Sequence, residues 1–474
     1  MNIKNIFIAT ALMLTVVSCI NDDSTGSTHN TSKLSLTVPF EKTYTLNRLD
    51  TLKLSPTVTQ SGEQLQVKYE WEVNYKRVST DRELKYVCSE FGKFPCRLKV
   101  TNGDDLKYYE FGINVQYAYE QGLYILGQYK GRTIVSYLPD GVKDKSFSLD
   151  VLAPNNPDIT FGAPRAISGI PATSLNKAPI MYVAAGNPST IYEMHGNLMI
   201  AYSQVAANGN VSFLTTSPAN QKEVQFVVID GKPARYSNNY HRLFDDSESL
   251  ITALGHPLKL ANALAAWKRD DLVYIHGFVF FENTHGHLLG KSVENNKVPT
   301  EILPNTFTGD TLIGMGAVDK ERNIAMITRN IASSKFYLYY VFPGYYYTKV
   351  EKRVPAVVKY KGEIPATAGI SGSSIVRTTK GKSLVYYSSG NNIYAYNVLS
   401  NGNFPTTPSF SVGNSGEVIV DIYINNDDSK MYIATNAASG DLPGSIYCYD
   451  LNGRTMLWQQ RNITGKITNM IYRN

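Results

Sequence analysis

Apolar and polar residues alternate with a period of two along most of the chain, the pattern of strands that bury one face. Between residues 34 and 116 it reads Leu34-Ser35-Leu36-Thr37-Val38, Leu52-Lys53-Leu54 and Tyr69-Glu70-Trp71-Glu72-Val73. Gly92 to Asn102 and Tyr108 to Val115 supply the last strands, joined by the turn Asn102-Gly103-Asp104. About seven short strands in about 80 residues fit an immunoglobulin-like sandwich. Trp71 is its central core aromatic, and Phe94 stands where such domains place a corner tyrosine, two residues before a strand cysteine.

Beyond Tyr117 a different theme recurs: a strand reading apolar-Tyr-apolar, a polar turn, then a second strand with alternating aromatics. Leu123-Tyr124-Ile125 precedes Ile134-Val135-Ser136-Tyr137, and Met181-Tyr182-Val183 precedes Ile191-Tyr192-Glu193. The clearest copies come late, where Leu384-Val385-Tyr386 with Ile393-Tyr394-Ala395-Tyr396 parallels Met431-Tyr432-Ile433 with Ile446-Tyr447-Cys448-Tyr449. Weaker copies begin near Phe226, Leu272 and Ile324. Seven starts spaced about 51 residues apart match the length of a four-stranded propeller blade. The chain is therefore expected to be all-β, an Ig-like sandwich at 34–116 followed by a seven-bladed β-propeller at 117–474. Lys466 to Tyr472 looks like a blade's first strand, whose continuation is Leu123 onward, so the terminal strand would close the ring and remove open edges. One stretch breaks the theme. Leu260, Leu264 and Trp267 follow the spacing i, i+4, i+7, with Pro257 suited to a first turn, and predict a short helix over 257–269.

The N-terminus carries an address. Lys4 leads into an apolar run from Ile6 to Val17, too short for a spanning helix, that ends in Leu14-Thr15-Val16-Val17-Ser18-Cys19. This resembles the bacterial lipobox, which implies a signal peptide at 1–18 and a lipidated Cys19 as the first mature residue. Several acyl chains, at about 0.8 kcal/mol per buried CH₂, would hold far beyond one myristoyl group. Residues 19–33, rich in Ser, Thr and Asp, read as a flexible tether. Within it Asp22-Asp23 resembles the tag that sends Bacteroidetes lipoproteins to the outer leaflet of the outer membrane.

Composition narrows the function little. The 474 residues carry a net charge of +6 with the basic residues scattered, so neither a nucleic-acid stripe nor a polybasic membrane patch is visible. Tyrosine is abundant, 33 residues against 18 Phe and 3 Trp, which favours strands. Of four cysteines, Cys88 and Cys96 form a candidate disulfide inside the first module, where a bridge would constrain the unfolded chain. Whether their Cα atoms come within bonding range is not written in the sequence. Cys448 reads as a buried apolar residue.

Candidate chemistry is sparse. His285-Gly286-His287, with Glu282 and His276 nearby, is the one histidine cluster. A metal needs three or four converging ligands, and Gly286 and Asn283 mark a turn, so a surface loop without metal is the expectation. Asp245-Asp246-Ser247-Glu248 lacks the spacing of a calcium loop and reads as a solvated turn. No Gly-x-Ser-x-Gly elbow and no Cys–His setting appears, and no catalytic residue or cofactor is assigned. What remains is aromatic surface: Tyr345, Tyr346 and Tyr347 follow Pro343-Gly344 on a predicted loop, where three consecutive rings cannot all turn inward. Tyr386, Tyr387, Tyr236 and Tyr240 are further candidates for contact with sugar rings or peptides.

Lipobox, acidic tag, the run from Gly92 into Val100-Thr101-Asn102 and the opening Gly122-Leu123-Tyr124-Ile125-Leu126 together resemble the PKD-like family of Bacteroidetes surface lipoproteins. The resemblance implies an outer-membrane, lipid-anchored protein facing the cell exterior, beside a SusC-like TonB-dependent transporter and a SusD-like lipoprotein. It implies a non-enzymatic accessory that captures an oligosaccharide or peptide. A propeller hydrolase or lyase and a purely structural subunit are the rival readings, since two carboxylates on distant blades would suffice for glycosidic cleavage.

Overall fold

The computed structural model describes residues 30–473 except 39, 49, 140–146, 173–177, 217–223, 248–250, 252–253, 270–274, 293–298 and 348–351. The side chains of residues 224, 275–276, 292, 346–347 and 352 also lie outside the description. Cys19, Asp22 and Asp23 therefore fall outside the described residues. The chain divides into two units, at Ala118/Tyr119.

In the first unit, alternation becomes strands wherever one face can be buried. Its main sheet has the order Thr43–Asn47, Leu106–Gln116, Gly92–Thr101, Lys68–Val73, Lys76–Ser79, with only the first pair parallel. Lys33–Thr37 pairs with Thr57–Ser61, and Thr51–Leu54 with Leu84–Val87. Leu34, Leu52, Leu54 and Leu84 from the small sheets meet Trp71, Leu98, Val100, Phe111 and Ile113 from the large one in a single core. Trp71 is fully buried at its centre, and its indole N–H donates to the Asp81 carbonyl at 2.9 Å. The turn at 102–104 is held by Asn102, whose side-chain oxygen accepts from Asp104 N–H and Asp105 N–H. Cys88 and Cys96 line this core as free, buried thiols, so the candidate bridge is not formed. Burial pushes the Cys96 thiol up to about 12 and raises that of Cys88.

Among the described residues, the second unit holds seven successive antiparallel sheets, with a separate two-stranded hairpin inserted in one of them. Six are four-stranded, spanning residues 164–206, 211–245, 260–302, 310–364, 376–411 and 418–464. The seventh joins the ends of the unit: Lys466–Arg473 pairs with Gly122–Tyr129, which pairs with Arg132–Pro139. The first strands of the sheets, Lys466–Arg473 included, adjoin one another in a closed circle. A ring of sheets packed through their innermost strands is a β-propeller. The predicted closure is present, with Tyr472 opposite Leu123 and Met470 opposite Ile125. Arg473 seals it from the end, its guanidinium donating to the carbonyls of Tyr119 and Glu120 at 2.6 Å and to the Asn197 side chain at 2.8 Å.

Crowding at the centre selects small residues. A Cβ on Gly316 of strand Asp310–Val318 would overlap the Thr378 side chain of the next sheet's first strand. The same crowding explains why the predicted helix over 257–269 is wrong. Leu260–Lys268 is an innermost strand in which Ala261 and Ala265 are small enough to sit between neighbouring sheets. The helical spacing of Leu260 and Leu264 comes from an irregularity, since the four steps from Leu260 to Leu264 are matched by only two, Glu282 to Phe280, on the partner strand.

Two sheets share a buried polar device. Asp310 accepts from the Thr328 hydroxyl at 2.8 Å and the Tyr339 hydroxyl at 3.0 Å. Glu417 accepts from Thr435 at 2.8 Å and Tyr447 at 3.0 Å. In each, a carboxylate at the start of the first strand satisfies a hydroxyl from the second and one from the third, so three strands are tied where no water reaches.

Candidate functional site

In an up-and-down sheet, the connection entering the first strand and the turn between strands two and three emerge on one face of the propeller. The other two turns emerge on the opposite face. This places Tyr240 and Tyr345–Tyr347 on one side and His256 and His285 on the other.

Tyr345–Tyr347 is a strand, not a loop. It pairs with Lys352–Val354 as a hairpin inserted between the third and fourth strands of the sheet at 310–364. Tyr345 turns inward: its ring lies 6.3 Å from Trp267 and 6.2 Å from Phe342, with the Arg269 guanidinium 5.3 Å above it. The ring is partly buried there, packed against the core beside the end of Leu260–Lys268. The side chains of Tyr346 and Tyr347 are outside the description. Tyr236, Tyr386 and Tyr387 are core residues, none more than 5 % exposed.

Of the named candidates Tyr240 is exposed, and Tyr202, not among them, is exposed too. Tyr240, in the turn before strand Arg242–Asp245, is 71 % exposed and packs edge-on against Phe244, whose ring also lies under Arg242. Tyr202, on the outer strand Ile200–Ala206, is 52 % exposed while its hydroxyl donates to Glu193 at 2.7 Å. Glu193, buried, also accepts from the Tyr236 hydroxyl at 2.6 Å and meets His241 Nδ1 at 2.8 Å. One carboxylate thus fixes Tyr202, Tyr236 and His241, and burial followed by that hydrogen bond pushes the Tyr236 hydroxyl up. Sequence reading missed Tyr202, whose strand partner gives no sign of solvent.

On the opposite face, residues 283–286 form the predicted turn between Ile275–Glu282 and His287–Ser292. His256, from the connection that enters the sheet, lies against it. Its ring centre is 4.0 Å from that of His285 and 5.4 Å from that of His287. His256, Glu282, His285 and His287 each offer one ligand atom, and these four atoms lie within 4.8 Å of one another. His276 is not in the group, and its side chain lies outside the description.

Backbone hydrogen bonds bring the pieces together. Asn283 N–H donates to the Lys259 carbonyl at 2.8 Å, and Lys259 N–H donates to Glu282 Oε1 at 3.1 Å. Glu282 is fully buried and accepts also from Thr284 N–H and His285 N–H. Burial works against its charge, but the Thr284 side chain and these three amides outweigh it and hold the carboxyl below its ordinary range. Gly286 has φ of 83° and no room for a Cβ, which would overlap the Phe307 carbonyl. His256 Nδ1 lies 2.8 Å from the Pro257 carbonyl and His287 Nδ1 lies 2.7 Å from Glu301 Oε1; both partners only accept, so each ring carries a proton on Nδ1 and its neutral tautomer offers the Nε2 lone pair. His256 Nε2 is buried and has no hydrogen-bond partner.

No family model matches the chain and no curated protein matches it. Among solved structures it is similar to a quinonprotein alcohol dehydrogenase-like protein from Bacteroides thetaiotaomicron, at 14 % identity over 92 % of this chain and 96 % of that one, with a TM-score of 0.47. A putative 6-phosphogluconolactonase from Bacteroides uniformis is similar at 8 % identity, 74 % and 99 % coverage and a TM-score of 0.44. A Dos1 propeller is similar at 10 % identity, 75 % and 87 % coverage and a TM-score of 0.39.

Proposed function

We propose that the protein is an outer-membrane surface lipoprotein, anchored through Cys19, that acts as a non-enzymatic accessory of a SusC/SusD-type uptake system and binds an oligomeric nutrient, glycan or peptide. One observation carries the reading. The short apolar run ends in small residues at Cys19 and gives way at once to Asp22-Asp23 and a polar tether, the layout of an exported, lipid-held chain. The first unit, taken as an Ig-like module of the PKD type, serves as a spacer, and the propeller carries the ligand. Tyr202 and Tyr240 support capture, being large exposed rings, the first of them steadied by Glu193.

Mass spectrometry of the mature N-terminus should find acyl chains on Cys19, and protease added to intact cells should cleave the protein. Titration with polysaccharides and with peptide mixtures should show binding without released products. Tyr202→Ala with Tyr240→Ala should weaken it by about tenfold or more. An unmodified Cys19 or protection from protease removes the surface role, and product release makes the protein an enzyme.

A further inference from the structure

We infer that His256, Glu282, His285 and His287 bind one divalent ion of the zinc class, and that the ion staples the connection entering the third of the six four-stranded sheets to that sheet's own central turn. The donors decide the class. Three imidazole nitrogens and one carboxylate oxygen suit zinc and its transition-metal neighbours, whereas calcium and magnesium take oxygen ligands.

Three features distinguish this arrangement from a chance meeting of histidines. The first is that the tautomers are already those a metal requires, for Pro257 and Glu301 hold the Nδ1 protons of His256 and His287 and leave each Nε2 lone pair free. A carboxylate behind a ligating histidine orients the ring and raises its basicity, and Glu301 stands in that place. The second is that His256 Nε2 is buried with no hydrogen-bond partner. A stranded polar atom of this kind costs free energy that an ion would restore. The third is that fully buried Glu282 has its carboxylate fixed beside the three imidazoles, for Oε1 takes the Lys259 and Thr284 amides and Oε2 takes the His285 N–H at 3.1 Å, which orients the oxygens for an ion.

The geometry needs only a small contraction. Ligands about 2.1 Å from a tetrahedral centre are about 3.4 Å apart, against a present spread of up to 4.8 Å. His285, exposed on the turn, has room to move inward. Four protein ligands leave no open position, which makes this a structural centre rather than a catalytic one.

The test uses the full chain purified without a polyhistidine tag, stripped with chelator, incubated with zinc and freed of excess by gel filtration. Elemental analysis should find about one zinc per chain, and stripping should lower Tm by about 3 °C or more. His256→Ala combined with His287→Ala should retain less than a tenth of the zinc, and its Tm should not respond to chelator. If that variant fails to fold, Glu301→Gln, which removes no ligand, should weaken zinc binding by about 10–100-fold. Wild-type protein that retains no zinc, variants that retain as much as wild type, or zinc that leaves Tm unmoved would each overturn the proposal.

Discussion

Removing the Glu417 carboxylate should destabilise the propeller more than any nearby single hydrogen bond, because that one group satisfies donors from three strands. It accepts from Thr435 and Tyr447, whose residues are 0 % and 1 % exposed, and pairs with Arg461. In Glu417→Ala the two hydroxyls lose their acceptor inside the protein. At about 1–3 kcal/mol for each stranded buried group, the loss is roughly 2–6 kcal/mol. The Arg461 side chain is a third exposed and rehydrates, so it adds little. Water entering the space left by the carboxylate pulls the value toward about 3 kcal/mol. Glu417→Gln keeps the volume and one acceptor but turns an NH₂ toward donors, and should cost about 2 kcal/mol. Thr435→Val should cost about 1 kcal/mol, and the two losses should be less than additive when combined with Glu417→Ala. Urea unfolding followed by circular dichroism, with each unit's transition fitted separately, measures these values. Acid provides a second reading. Burial raises the Glu417 carboxyl, but the hydrogen bonds from Thr435, Asn414 N–H, Arg461 and Tyr447 together bring it below the ordinary range. A folded value below the unfolded one gives stability that is present above about pH 4.3 and lost as pH falls through the folded value. The gap between wild type and Glu417→Gln should therefore shrink in acid. A Glu417→Ala protein within about 0.5 kcal/mol of wild type, or a gap that widens as pH falls, would refute the reasoning.

Gly286→Ala should destabilise by about 3 kcal/mol or more, since the new Cβ combines a positive φ with overlap onto the Phe307 carbonyl, and a thermal melt reads it directly. Cys88 and Cys96 should resist a thiolate-reactive dye at pH 8 until denaturant is added, because burial keeps both thiols protonated; fast labelling of the folded protein would show that the core of the first unit opens. Trp71→Ala should remove about 3–5 kcal/mol from the first unit and leave the unfolding transition of the second unchanged, as two unfolding midpoints in urea would report.

Much of the architecture is legible because a repeat multiplies a weak signal. The starts at Leu123, Met181, Phe226, Ile324, Leu384 and Met431 each fall on the second strand of a sheet, the most buried position, where aliphatic and tyrosine side chains recur. The innermost strands are harder to read, because crowding replaces large residues with Gly and Ala, and in Leu260–Lys268 this imitates a helix. The sequence holds a further regularity. Asp310 precedes Thr328 by 18 residues, and Glu417 precedes Thr435 by the same 18, a fixed spacing of acid and hydroxyl that marks the buried device in both sheets. The histidine group shows the converse. Glu282, His285 and His287 announce themselves within one turn, whereas His256 is separated from them by an entire strand and enters only because antiparallel strands return the chain to the same face. Tyr345 fails for a related reason, since three consecutive tyrosines suggest exposure until the hairpin sets the first of them beside Trp267. Short-range pattern identifies which strands exist, while the contents of a site depend on which chain ends and turns the ring brings together.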